Sequence, residues 1–208
     1  MNIRESLDQE HSKAMTLRII AYIGNDASRL EELMTCFFDK EGRICQRAAW
    51  AMSLVGEKHP TLIEPYLERI LLNLRQPHHE AIKRNTMRLL RELPTIPDAV
   101  LGLAADAAFR FLEDPSVSIA VRAFSIRVLG KICLKEPDLK EELRMMLEDL
   151  MANEKAPGLL VSSRDVLKQN SKPTYSLNPL ASSSFSLTKF LFNKKDRHSA
   201  ARFAVLKM

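Results

Sequence analysis

The stretch that decides the fold is residues 114–130, DPSVSIAVRAFSIRVLG, in which a turn is followed by a regular pattern of apolar residues. Asp114-Pro115 favours a break, because proline lacks the backbone N–H that a continuing helix needs. Apolar residues then recur every three or four positions, which is the period of one helix face. They are Val117, Val121, Phe124, Val128 and Leu129. The stretch therefore predicts a turn followed by an amphipathic helix.

The same combination of turn residue and arginine occurs three times along the chain. The distance from the turn residue to an arginine in the next helix is eight residues each time, for Asp39 to Arg47, Gln76 to Arg84 and Asp114 to Arg122. The three arginines are therefore 37 and 38 residues apart. A shorter copy precedes them at 18–24, and a weaker pair of helices follows at 138–170. A period near 40 residues built from two helices is typical of an α-solenoid.

Helical periodicity extends over almost all of residues 11–169. Its clearest segment is Thr61–Leu74, which lies between Pro60 and Pro77, and proline commonly marks the ends of helices. Strand patterns are almost absent, since the chain has no Asn-Gly or Asp-Gly turn and no sustained alternation of apolar and polar residues. We therefore expect an all-α fold, an α–α superhelix of four to five helical hairpins over residues 1–170.

The repeated phrase resembles a HEAT repeat, in which a turn aspartate and an arginine of the second helix stack from one repeat to the next. The residues that carry the resemblance are Asp114-Pro115, Val121-Arg122-Ala123 and Val128-Leu129-Gly130. The arginine comes two residues later than in the commonest HEAT pattern, and Gln76 once replaces the turn aspartate. Residues 43–56 and the hairpin after Pro60 are similar to short, stand-alone bacterial HEAT-like proteins. The resemblance covers about residues 10–170 and implies a fold rather than an activity.

Residues 171–208 differ in composition from the rest of the chain. They contain Ser182-Ser183-Ser184, Pro173 and Pro179, and a basic, aromatic stretch at 187–195. This composition predicts an irregular, disordered tail. The tail holds seven Lys and Arg against one acidic residue, whereas residues 1–170 hold 24 against 25. The formal charge of +5 therefore belongs to the tail, which leaves contact of the tail with acidic surfaces open, and the helical domain is nearly neutral.

The patterns of several chemical functions are missing from the sequence. The six glycines form no phosphate-binding loop and no nucleophile elbow. Cys36, Cys45 and Cys133 lack the spacing of a zinc site or a disulfide framework, so we expect buried free thiols. No apolar run is long enough to span a membrane, and the N-terminus does not resemble a secretory signal. We therefore expect a cytoplasmic protein without a metal ion, a cofactor or a catalytic group.

Arg47, Arg84 and Arg122 share one phase of successive repeats, which in a HEAT-like array faces the concave side or the junction between repeats. As binding residues they would meet an acidic ligand through their planar guanidinium groups. As structural residues each would bind a turn carboxylate or the carbonyl oxygens at a helix end. The sequence favours the structural interpretation and leaves binding as the alternative.

Arg88 and Arg91 follow Arg84 at helical spacing, so the three side chains share one face of a helix. This face is either a stripe that binds phosphates or a solvated face of local ion pairs. We favour ion pairs, because Glu80 lies four residues before Arg84 and Glu92 lies four residues after Arg88.

Trp50 is the only tryptophan of the chain and lies between Ala49 and Ala51. An exposed tryptophan beside an arginine is a common anchor of binding sites, and Arg47 is close enough in sequence to form such a pair. A tryptophan that fills the seam between two repeats is the other interpretation, which we favour.

These observations favour a non-enzymatic interaction module that binds a protein partner on the concave face of the solenoid. The candidate binding residues are Arg47, Trp50, Arg84, Arg88 and Arg122. The alternative is a nucleic-acid-binding protein that resembles the HEAT-like alkylpurine DNA glycosylases, in which a basic concave face with aromatic and acidic residues surrounds a damaged nucleotide.

Overall fold

The computed structural model describes residues 1–39 and 42–171, and all regular structure in this part of the chain is helical. The predicted all-α class is confirmed. The α-helices are α1 (Ile3–Gln9), α2 (Lys13–Ile23), α3 (Ala27–Phe37), α4 (Gly42–Lys58), α5 (Pro60–Ile63), α6 (Leu67–Asn73), α7 (Glu80–Glu92), α8 (Asp98–Glu113), α9 (Ile119–Lys135), α10 (Lys140–Asn153) and α11 (Pro157–Asn170). Short 3-10 turns at Glu64–Tyr66 and Pro137–Leu139 precede α6 and α10. Apart from Ser171, the predicted tail lies outside the described residues.

Capping side chains determine where several helices begin. The Asn2 side chain accepts a hydrogen bond from Glu5 N at 3.1 Å, and Ser12 Oγ accepts one from Met15 N at 3.0 Å. Such caps satisfy backbone N–H groups that have no partner inside the helix. Pro157 begins α11, a position where its missing N–H costs no hydrogen bond. Helix starts are therefore encoded locally.

Within the described residues the helices form five hairpins that stack in sequence order. The pairs are α1 with α2, α3 with α4, the α5–α6 segment with α7, α8 with α9, and α10 with α11. The second helices pack in series, α2 on α4, α4 on α7, α7 on α9 and α9 on α11, and form one layer. First helices also contact one another, α1 on α3 and α6 on α8. This arrangement is the predicted α–α superhelix.

At two crossings between second helices a glycine lies close to a side chain of the neighbouring helix. A Cβ atom added to Gly130 of α9 would lie 2.8 Å from both Cγ atoms of Val166 in α11. Valine in a helix has one strongly preferred rotamer, so Val166 cannot turn away. A Cβ atom on Gly56 of α4 would lie 2.0 Å from Leu89 Cδ1 in α7, the flexible end of a side chain. Gly130 therefore tolerates a side chain less well than Gly56 does.

We expect Gly130→Ala to destabilise the protein, with Gly158→Ala as the matched control. Gly158 lies in the first turn of α11, where an added Cβ would meet Ile119 Cγ2 at an ordinary 3.6 Å. Overpacking of a helix crossing costs about 1–3 kcal/mol, so the free energy of unfolding of Gly130→Ala should be lower than that of the control by about this amount. Urea unfolding measures both values. Equal stabilities would show that the crossing has room for a methyl group.

Lysines of α9 bind carbonyl oxygens of the preceding repeat. Lys131 Nζ donates to Leu90 O at 3.2 Å and to Arg91 O at 2.5 Å, near the C-terminal end of α7. Lys135 Nζ donates to Ile96 O at 2.7 Å. Carbonyl groups in the last turn of a helix have no intrahelical donor, and basic side chains can bind them. Burial lowers the pKa of Lys131, whose ammonium group these carbonyls surround.

The three cysteines are free and buried, as the sequence predicts. Burial raises the pKa of the Cys45 thiol to about 11 and that of the Cys133 thiol to about 12. The Cys45 thiol also donates a hydrogen bond to Phe37 O at 2.8 Å. Burial raises the pKa of the Cys36 thiol as well. Because the thiolate is the nucleophilic form, these thiols are poor nucleophiles in the folded protein.

A thiol-reactive disulfide reagent should therefore label the folded protein slowly at about pH 8, near the ordinary pKa of a cysteine. All three cysteines should react promptly once denaturant exposes them and restores their ordinary pKa. The absorbance of the released thiolate follows both reactions. Fast labelling of Cys133 in the folded state would contradict the burial of this thiol.

Candidate functional site

A pocket of about 240 Å³ is lined by one face of α4, one face of α7 and the segment before α2. Within each helix the lining residues are three or four positions apart, so their side chains point to the same side. The pocket is lined by Arg43, Gln46, Arg47 and Trp50 of α4, by Ala81, Arg84 and Asn85 of α7, and by His11. Two consecutive second helices thus build one site.

The pocket brings together three of the five residues that the sequence suggested for binding. These are Arg47, Trp50 and Arg84. Arg88 and Arg122 are not among the residues that line it. Arg47, Arg84 and Arg122 occupy equivalent positions in successive repeats, but Arg122 does not share the environment of the other two.

Trp50 is half-buried and forms part of the pocket wall. Its ring meets the His11 imidazole edge to face, with 5.7 Å between the ring centroids and an angle of 89° between the planes. The neighbouring Ala49 and Ala51 are fully buried. Trp50 thus packs between helices and also lines an accessible pocket, which combines the two interpretations of the sequence.

Arg47 binds the end of the first helix. Its Nη1 donates to Leu7 O at 2.6 Å and to Asp8 O at 2.9 Å, in the last turn of α1. Arg43, one turn earlier on α4, forms an ion pair with the Asp8 carboxylate. Arg47 therefore has the structural role that the sequence favours, although its side chain also lines the pocket.

Arg122 is the equivalent residue of α9 and is only 8% exposed. Its Nε donates to Leu112 O at 3.3 Å, at the end of α8, and its Nη1 binds Glu154 Oε1 at 2.7 Å. The bond to Leu112 joins the two helices of the hairpin that contains Arg122. The ion pair with Glu154 joins this hairpin to the next one. Arg122 is a structural residue in this arrangement.

Arg84 differs from both of its equivalents. It is exposed, and its side chain has no hydrogen bond or ion pair within the described part of the chain. Leu74 lies ten residues before Arg84, as Leu112 does before Arg122, but Leu74 O accepts its bond from Arg110 Nη1 at 3.4 Å. This carbonyl therefore binds a residue of the next repeat, and Arg84 faces the pocket instead.

The expected ion pair between Glu80 and Arg84 is wrong. Glu80 Oε1 binds Lys83 Nζ at 2.7 Å, and its Oε2 accepts a hydrogen bond from Ser118 N at 3.0 Å. Burial tends to raise the pKa of Glu80, but the hydrogen bonds from Lys83 and Ser118 lower it overall. The carboxylate is drawn towards the next repeat, away from Arg84.

The expected ion pair between Arg88 and Glu92 is also wrong, because each of the two residues has a different partner. Arg88 Nη2 lies 3.2 Å from Glu57 Oε2 on α4, and Glu92 instead pairs with its neighbour Arg91. The guanidinium group of Arg91 also lies over the Phe124 ring, 4.4 Å from its centroid. The arginines of α7 beyond Arg84 are therefore occupied by contacts between helices.

The pocket is strongly cationic. Arg43, Arg47 and Arg84 line it, and none of the lining residues is acidic. Asp8 is the carboxylate that pairs with Arg43, so two guanidinium charges have no carboxylate partner among the described residues. Gln46 adds an amide that has no hydrogen bond to the described residues. The arrangement can bind an anion through charged and neutral donors at once.

Arg43, Gln46, Asn85 and His11 also line the pocket, and the sequence analysis did not single them out. A signal for three of them was present, since Arg43 lies four residues before Arg47, Gln46 lies four residues before Trp50, and Asn85 is adjacent to Arg84. His11 carried no such signal, because it approaches Trp50 from a different hairpin. Its contribution depends on tertiary packing alone.

Comparison with known protein families identifies the repeat. A family model described as a HEAT repeat domain matches residues 3–170. The chain belongs to the HEAT repeat domain family. No curated protein and no solved structure gives a match. The HEAT hairpins therefore account for the fold.

Residues 1–39 and 42–171 of the HEAT array contain neither a membrane-spanning helix nor a metal-binding cluster. No helix there is long and apolar enough to cross a membrane. No group of three or more His, Cys, Asp or Glu side chains there is placed to hold a metal ion. Within these residues the cationic pocket brings unpaired arginine side chains together in one cavity.

The two roles of the repeated arginine can be separated by substitution. Arg122→Gln removes a partly buried ion pair and a bond to Leu112 O, which should lower the free energy of unfolding by about 1–3 kcal/mol. Arg84→Gln removes no hydrogen bond or ion pair to the described residues and should change the free energy of unfolding by less than about 0.5 kcal/mol. Urea unfolding of the two variants measures this difference. A large loss for Arg84→Gln would mean that Arg84 also supports the fold.

Proposed function

We propose that this HEAT repeat protein is a non-enzymatic interaction module that binds a protein partner at the second-helix layer, around the pocket of Arg47, Trp50 and Arg84. The observation that carries the proposal is Arg84, an exposed arginine without a partner in the described chain, beside a half-buried tryptophan. Arginine and tryptophan are the residues that most often dominate binding energies at protein interfaces.

The architecture supports this proposal. HEAT repeat domains commonly serve as interaction scaffolds, and stacked helical hairpins provide an extended surface whose shape follows from the repeat. The pocket lies between the second helices of two consecutive hairpins, so a partner that occupies it would contact α4 and α7 together. Arg88 and Arg122 are engaged by Glu57 and Glu154, so the proposal assigns binding to the other three candidates.

Nucleic-acid binding is the second candidate, because a tryptophan and arginines do line one pocket. A phosphodiester backbone, however, needs a track of free cations along its path. Two arginines of the same helix layer outside the pocket, Arg88 and Arg127, are paired instead with Glu57 and Asp165. The described lining also lacks the acidic residue that the glycosylase resemblance implies. A protein partner therefore fits the surface better.

The test is the affinity for a partner captured from a lysate of the source cells and then purified. Arg84→Gln and Trp50→Phe should each weaken its binding to the full chain by about ten-fold, as expected for central interface residues. Arg164→Gln, at an exposed and unpaired arginine of α11, is the matched control and should leave the affinity unchanged. Calorimetric titration gives the three values.

Equal binding by Arg84→Gln and Arg164→Gln would refute the assignment of the pocket to the partner. Nucleic acid is tested separately with a chain that ends at residue 171, so that the basic tail cannot contribute. If this chain binds duplex DNA with an affinity that falls steeply with salt and depends on Arg84, the second candidate replaces the first. We expect no such binding.

A further inference from the structure

The charge of the pocket defines the kind of group that it can hold. Three arginines line it, and among the described residues the carboxylate that pairs with one of them is Asp8, which binds Arg43. Arg47 uses its Nη1 for the carbonyl oxygens of Leu7 and Asp8, which carry no net charge. Two positive charges thus remain to be balanced inside a space of about 240 Å³.

The free donors are concentrated near Arg84. The Arg84 guanidinium has no bond to the described residues, and Gln46 on the facing helix likewise has none. Asn85 contributes less, because its Nδ2 already donates to Ala81 O at 2.9 Å. A ligand group with several acceptor oxygens can therefore be held from both helices, by Arg84 on one side and by Gln46 and Arg47 on the other.

Both helices also face the pocket with their N-terminal parts. Arg43, Gln46 and Arg47 lie within the first six residues of α4, and Ala81, Arg84 and Asn85 lie within the first six residues of α7. The N-terminal end of a helix carries a partial positive charge from the aligned peptide dipoles. This adds to the attraction that the arginines exert on an anion.

We propose that the pocket binds a phosphomonoester on a side chain of the protein partner, an inference that rests on the proposed function. A phosphorylated side chain carries a charge of about −1.5 to −2 and three acceptor oxygens in one small group. This balances the two unpaired guanidinium charges at once. A single carboxylate would balance one of them, and two carboxylates would have to enter the same small pocket from two side chains.

The only tryptophan of the chain provides a direct readout, since Trp50 is part of the pocket wall. The full-length protein is titrated with a short serine peptide in its phosphorylated form, its unphosphorylated form and a form with glutamate in place of serine. We expect the phosphopeptide alone to change the Trp50 fluorescence in a saturable way. Arg84→Gln should weaken this binding by about ten-fold or more, the effect of losing a charged hydrogen-bond donor.

The Arg164→Gln variant controls for general attraction of the peptide to positive charge and should bind like the unmodified protein. Equal binding of the glutamate peptide would overturn the selection of phosphate. Inorganic phosphate that binds as tightly as the phosphopeptide would overturn the protein partner as the source of the group. No saturable change with any of these probes would overturn the phosphate site altogether.

A second measurement separates this inference from the proposed function. The purified partner is treated with a phosphatase and titrated again with the unmodified protein and with Arg84→Gln. If binding remains strong and still depends on Arg84, the interaction function stands and the phosphate inference fails. If the phosphopeptide binds at Arg84 but binding of the partner is independent of Arg84, the pocket is a phosphate site and the proposed function fails.

Discussion

The carbonyl oxygens at the ends of the helices need donors, because the last turn of a helix leaves them without partners inside it. In this chain basic side chains of neighbouring helices supply many of these donors. Arg47 binds the end of α1, Lys131 the end of α7 and Arg122 the end of α8. Each of these bonds joins two helices of the stack, so the same contact completes a helix and fixes its neighbour.

This constraint also determines which basic residues are available to a ligand. Arg84 occupies the repeat position of Arg47 and Arg122, yet the carbonyl equivalent to the partner of Arg122 is taken by Arg110 from the following hairpin. Arg84 is thus a basic side chain that does not bind a helix end in the described structure. The proposed binding site lies where the repeat places an arginine whose equivalent carbonyl oxygen accepts a bond from another residue. The site is therefore a consequence of small differences between repeats.

The sequence predicted the fold because the signals of a solenoid are local and repeated. The turn residue, the arginine eight positions later and the 37- to 38-residue spacing all lie within one hairpin or recur in the next. The partners of charged side chains could not be predicted in the same way. Arg88 pairs with Glu57, 31 residues away, rather than with Glu92 on its own helix. Such pairing depends on which helices lie side by side and on the rotation of each about its axis.

Net charge was equally uninformative about the pocket. Residues 1–170 carry 24 basic and 25 acidic residues, and this near-neutral balance gives no indication of a cationic site. The structure shows how a neutral domain can contain a cationic pocket. Ion pairs such as Arg127 with Asp165 and Arg144 with Glu148 neutralise charge elsewhere on the surface. What remains at α4 and α7 is a local excess of two guanidinium groups beside Trp50. In a neutral repeat domain, the distribution of unpaired charge rather than its sum therefore indicates where a ligand binds.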